Sequence, residues 1–240
     1  MKSIQVFLAL ILCFSLGHAQ RSKKVKGSGN VVSVQRTTND YDGISASGFY
    51  DITLIAGKEG SLELKGEDNI LDNIETYVKG GTLVIKAKKN INLMPSKGQG
   101  VFITVPVDEI DTIRLSGSGN FMGEPTLRTR NMDIQVSGSK NIDLDIEASD
   151  ISIATSGSSN IDLEGQCEGF KVRSSGSSNI KAFGLEVDEA SLELSGSSNV
   201  QVSVNEAIIS RVSGSGNIQY RGNPDKVSSQ ISGSGSVSKN

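Results

Sequence analysis

The side chains best suited to chemistry in this chain are acidic, and two arrangements of them matter. Asp143, Asp145, Glu147 and Asp150 lie close together, and a carboxylate pair drawn from such a group could serve as acid and base in glycoside hydrolysis. Asp143 and Asp162 occupy the same place in neighbouring copies of a repeat, where two stacked carboxylates could hold a hard cation. Each arrangement meets a simpler reading. Acidic clusters on short polar turns are most often solvated edges, and Lys181, one copy further on, neutralises Asp162. Calcium-binding β-rolls also carry Asp in the turn of a nine-residue repeat, whereas the turn here carries Asn. A lyase would need a basic residue in a cleft, but the outward column Arg114, Gln135, Ala154, Arg173, Glu193, Arg211 and Gln230 is scattered. Serine is abundant, yet the single histidine, His18, falls in the leader described below. Neither a Ser-His-Asp triad nor a Cys-His pair can be assembled. Past the leader the only cysteine is Cys167, so no internal disulfide and no zinc site is expected. The reading is a protein that is not an enzyme and takes no cofactor or metal.

What must position every surface residue is a repeat. The signature apolar-Ser-Gly-Ser-x-Asn-apolar begins at Leu115, Val136, Thr155, Ser174, Leu194 and Val212, and once more at Ile231 with Ser236 in place of Asn. The central glycines are Gly117, Gly138, Gly157, Gly176, Gly196, Gly214 and Gly233, spaced by 21, 19, 19, 20, 18 and 19 residues. A fixed period of this size marks a stacked solenoid. Apolar positions alternate with polar ones on both sides of each signature, as in Ile113 and Leu115 before it and Phe121 after it, so each strand turns one face inward. The fold class expected is all-β: a parallel β-solenoid with coils of about 19 residues, roughly seven in number. The Ser-Gly-Ser-x-Asn segment is its corner. Glycine supplies the positive φ of a tight bend, and Asn120, Asn141, Asn160, Asn179, Asn199 and Asn217 are placed to form an amide ladder from coil to coil. These glycines and asparagines are read as structural residues, not as a ligand site.

Ahead of the repeats lies a more irregular β region, 41–110, and before it a polar tail, 20–40. Ile74–Val78 and Thr82–Lys86 flank Lys79-Gly80-Gly81, a hairpin pattern. Val101–Val105 reads as a strand closed by Pro106, residues 90–100 as a loop, and Glu67–Asn73 as one helical turn. Residues 1–19 have the form of a secretory signal: Lys2, an apolar run from Ile4 to Leu16, and Gly17-His18-Ala19 before the cleavage point at Gln20. Cleavage as a lipoprotein before Cys13 is the weaker alternative, because Leu12 is too large for the position before the cysteine. With the signal removed, no transmembrane segment is expected. The net charge of −3, with no basic stripe interleaved with aromatics, leaves no footprint for nucleic acid.

The corners, together with Tyr41-Asp-Gly-Ile-Ser-Ala-Ser-Gly-Phe-Tyr-Asp-Ile52 and Phe102-Ile-Thr-Val-Pro106, resemble the head GIN domain of the family described as a putative auto-transporter adhesin. The resemblance runs over roughly residues 40–220. It implies an exported β-solenoid with an adhesive role and brings no catalytic motif. The chain departs from a true auto-transporter, since no translocating β-barrel follows the repeats. The favoured function is an envelope or cell-surface module that binds an unidentified glycan or protein ligand, located in the periplasm, on the outer membrane or outside the cell. A periplasmic scaffold without adhesive role is the alternative, and a carbohydrate-active enzyme the third reading. The last coil carries no cap, so its open edge invites a second copy of the chain.

Overall fold

The computed structural model of the chain describes residues 22–240, so the signal expected at residues 1–19 lies outside the described residues. In chain order the elements are β1 (Lys23–Lys26), β2 (Val31–Thr37), β3 (Gly43–Gly48), β4 (Asp51–Ala56), β5 (Ser61–Glu67), a single helical turn α1 (Asp68–Leu71), β6 (Ile74–Lys79), β7 (Thr82–Ala87), β8 (Ile91–Met94) and β9 (Phe102–Val107). The repeats supply β10 (Thr112–Gly123), β11 (Leu127–Gly157), β12 (Asn160–Gly176), β13 (Asn179–Gly196), β14 (Asn199–Gly214), β15 (Asn217–Arg221), β16 (Lys226–Gly233) and β17 (Ser236–Lys239).

The repeats stack as a parallel solenoid with their corners in register, bulges around β13 absorbing the differences in coil length. Ile113 pairs with Ile134, Gly117 with Gly138, Asn120 with Asn141, and Phe121 with Ile142; the same columns continue through β12, β13 and β14. Alternation does what a period of two requires: Ile134, Val136, Ile142, Leu144 and Ile146 are buried between exposed or half-buried neighbours. Two buried polar rungs satisfy one another: Thr155 and Ser174 share a hydrogen bond of 2.7 Å, and Ser174 and Ser198 another of 2.7 Å. The buried Ser178 hydroxyl beside them has no partner among the described residues.

The stack also runs backward into the region expected to be irregular. β3 pairs in parallel with the first half of β10, Gly48 opposite Gly117, and β4 with the second half, Ile52 opposite Phe121. β7 lies on β3 and β9 on β4, again in parallel. Only then does the direction change: β5 pairs antiparallel with β9, β2 with β5, and β6 with β7. The β6–β7 hairpin turns at Gly80 and Gly81, both at positive φ (56° and 74°), as its sequence requires. These reversed strands, with Ile70 and Leu71 of α1 buried beneath, close one end of the solenoid.

Three local expectations are corrected. The segment expected to be a polar tail carries β1, paired with β8, and β2, paired with β5. It is held by Glu67, which is 1% exposed and accepts hydrogen bonds from the Gly29 amide (2.6 Å), the Ser96 amide (2.8 Å) and the Ser96 hydroxyl (2.6 Å). Those bonds hold its carboxyl below the usual carboxylate range. The expected loop 90–100 contains β8. Pro106 does not end its strand: the antiparallel partner β5 stops pairing at Thr104, so the donor that proline lacks is not needed there.

Candidate functional site

The corner sets which side chains face out. In each copy the residue before the central glycine and the Asn face solvent, while the residue before the Asn points inward, where Ser159, Ser178 and Ser198 are buried. The expected ladder residues lie along one edge. Asn141 Nδ2 donates to Asn120 Oδ1 at 2.9 Å, Asn160 to Asn141 at 3.0 Å, and Asn217 to Asn199 at 3.0 Å. The row begins on Asp51, whose Oδ1 accepts from the Asn120 amide nitrogen of the side chain at 2.9 Å and from its backbone at 2.8 Å. It ends on Ser236, whose hydroxyl donates to Asn217 at 2.8 Å. Asn179 makes no side-chain link among the described residues, so the row is broken at that rung. Asn141→Ala, which removes two links, is expected to cost about 1–2 kcal/mol, and Asn179→Ala less than about 0.5 kcal/mol; thermal unfolding of the two variants checks the contrast.

One inward corner position departs from the rest. Where other copies have Gly or Ser, the second has Lys140, only 1% exposed. Its stem passes the rung of Gly119, which has no side chain to obstruct it, and Nζ donates to the Tyr50 carbonyl at 3.2 Å. Burial holds its ammonium down to about 8, against a smaller upward pull from Asp51.

The residues proposed for chemistry at the outset are mostly engaged. Thr126 donates to Asp145 at 2.7 Å, and Arg128 to Glu147 at 3.0 and 3.1 Å. Lys181 stands 3.8 Å from Asp162. Among the described residues, no group of three or more His, Cys, Asp or Glu is arranged to hold a metal ion. Cys167 is buried, and desolvation, with Asp150 and Asp188 beside it, pushes its thiol up to about 12, far from the thiolate that reactivity needs.

What remains is a surface that sequence reasoning did not find. Between two outward columns of the strand entering each corner runs a trough of about 960 Å³. One wall is the column that had looked scattered, Arg114, Gln135, Ala154, Arg173, Glu193, Arg211 and Gln230; the other is a row of serines, from Ser116 through Ser156 and Ser195 to Ser232. Arg173 and Arg211 flank Glu193 at 3.1 and 3.7 Å, which fixes the guanidinium groups in place along the wall. A side chain from every rung contributes, so the trough spans the stack rather than one pocket of it. It suits an extended ligand gripped at many weak points, and offers no converging acid, base and nucleophile.

Fold and surface together define a class: an all-β parallel solenoid whose most developed feature is a long shallow face. The chain belongs to the family described as "Putative auto-transporter adhesin, head GIN domain", whose model matches residues 40–224. Solved structures agree. A "putative adhesin" from Bacteroides fragilis superposes with a TM-score of 0.80 at 26% identity, over 90% of this chain and 100% of its own. A "putative lipid binding protein" from Parabacteroides distasonis gives 0.74 at 26% identity, over 91% and 100%. A "putative adhesin" from Parabacteroides merdae gives 0.66 at 18% identity, over 91% and 100%, and shares the fold. Among curated proteins, none matches.

Proposed function

We propose that this protein is an exported, non-enzymatic binding module of the cell envelope, and that it holds an extended glycan or protein ligand along the trough. The observation that carries the reading is the continuity of that trough across the stacked coils. Membership in a family named for adhesion, and neighbours of the same name, support it. Among the described residues no helix is long and apolar enough to cross a membrane.

The test is an array of glycans and matrix proteins probed with the purified chain. Arg173→Glu, which breaks one wall, and Ser156→Trp, which obstructs the trough from the other, are each expected to lower retention at least about tenfold, since loss of a charge-assisted contact is worth roughly 1.5–3 kcal/mol. Both sites are exposed, so melting temperatures should hold. Retention unchanged by both variants would move the site elsewhere. Protease shaving of intact cells separates this reading from a periplasmic scaffold: an adhesin is digested from outside, and a scaffold survives until the outer membrane is opened.

A further inference from the structure

We propose that the open end of the solenoid is a two-fold interface that pairs two copies of this chain. The last rung exposes what every earlier rung buries. Ile231 stacks on Val212, which is 2% exposed, yet is itself 47% exposed; Val227 stacks on Ile208, at 0%, and is 49% exposed. All eight residues of β16 are exposed. Among the described residues β16 pairs only with β14, and β17 only with β15, so each leaves one edge of backbone donors and acceptors free there. Such edges are usually blunted by charge, proline or a covering element. β16 has none of these beyond Lys226 at its start, and its inward positions carry no charge.

The occupant follows from the ends themselves. Head-to-tail stacking is disfavoured, because at the opposite end the stack has already turned antiparallel and its edge strands, β2 and β6, carry Arg36, Glu75 and Lys79. The polar row on the outer edge also stops: Ser236 donates to Asn217 and has no amide with which to continue the ladder. A second copy turned over about a two-fold axis fits instead. It presents the same exposed apolar residues, and its edge runs antiparallel to the first. That change of strand direction is the one by which this molecule already closes its other end, at β9 and β5. One coil is a small face beside the roughly 1,600 Å² of a standard interface, so the dimer should form in the micromolar range.

Sedimentation velocity of the purified chain across the micromolar range is the experiment. The mass is expected to rise from monomer to dimer and stop there. Ile231→Lys, on a half-exposed residue that folding can spare, should move the midpoint up at least tenfold with an unchanged melting curve, while Arg173→Glu in the trough should leave it alone. A wild-type monomer at every concentration would overturn the inference. So would growth past dimer, or association untouched by Ile231→Lys. None of these outcomes depends on what the trough binds.

Discussion

Replacing Gly157 by alanine should lower the melting temperature by about 5–20 °C. Gly157 sits at φ +123°, a conformation L side chains rarely adopt, and a Cβ there would lie 2.4 Å from the Gly138 carbonyl oxygen and 2.9 Å from its nitrogen. Both are backbone atoms of the rung below, so no rotamer change relieves the contact. Moving that backbone would break the bond from the Ser158 amide to the Gly138 carbonyl, 2.9 Å long, which helps hold the corners together. Strain of about 1–3 kcal/mol at the backbone and about 1–3 kcal/mol for overpacking give roughly 2–6 kcal/mol. For a chain of this size each kcal/mol is about 2–4 °C. Gly80 is the control: it too has positive φ, +56°, but nothing lies within 4 Å of its Cβ position. Gly80→Asn should cost no more than about 1 kcal/mol, since Asn tolerates the left-handed region. Thermal unfolding by circular dichroism measures both. Equal losses would mean that the corner needs glycine only for φ and not for the approach of one coil to the next.

That comparison also shows what could be read in advance. The period, the alternating columns and the corner were legible because identical residues stack on identical residues, so each signature repeats one set of physical demands. The coil formed by β3 and β4 was harder to see. Its signature, Ala46-Ser-Gly-Phe-Tyr-Asp-Ile52, keeps the glycine and the apolar positions, but Phe49 and Tyr50 replace the small corner residues and Asp51 replaces Asn. In the structure Gly48 stacks on Gly117, and Asp51 starts the polar row that the asparagines extend. The first parallel rung was hidden further, since β7 and β9 are separated by β8 rather than by a tight corner. The trough was illegible for another reason. Its wall looks scattered when read as chemistry, because no single rung has a complete set of groups. Only the stack brings Arg173 and Arg211 each within 4 Å of Glu193.

Lys140 tests how far the repeat constrains its own interior. A lysine in a column of Gly and Ser is expected to weaken the fold at neutral pH, and the sign of its pH dependence is fixed by its environment. Unfolded, the group titrates near its ordinary value of 10.5; folded, desolvation brings it down to about 8. Below pH 8 both states hold the proton, and the full cost of burying the charge is present. Between about 8 and 10.5 the unfolded state binds more protons than the folded one, so stability rises with pH through that window. Lys140→Met keeps most of the stem beside Gly119 and drops the charge, at the loss of one bond to the Tyr50 carbonyl. Removing a poorly compensated buried charge in favour of an apolar side chain of similar volume is commonly neutral or stabilising. The variant is therefore expected to be more stable than the wild type at pH 7, by about 1–2 kcal/mol. That is less than the whole shift would convert to, because Asp51 and solvent near the corner screen part of it. The advantage should close as the pH approaches 10, since the wild type by then carries a neutral amine that still reaches Tyr50. Melting curves of the two proteins at a series of pH values give the difference directly and cancel every other titrating group. A gap that stays constant from pH 7 to pH 10 would show that Lys140 keeps its proton in the folded protein and that its cost lies in packing alone.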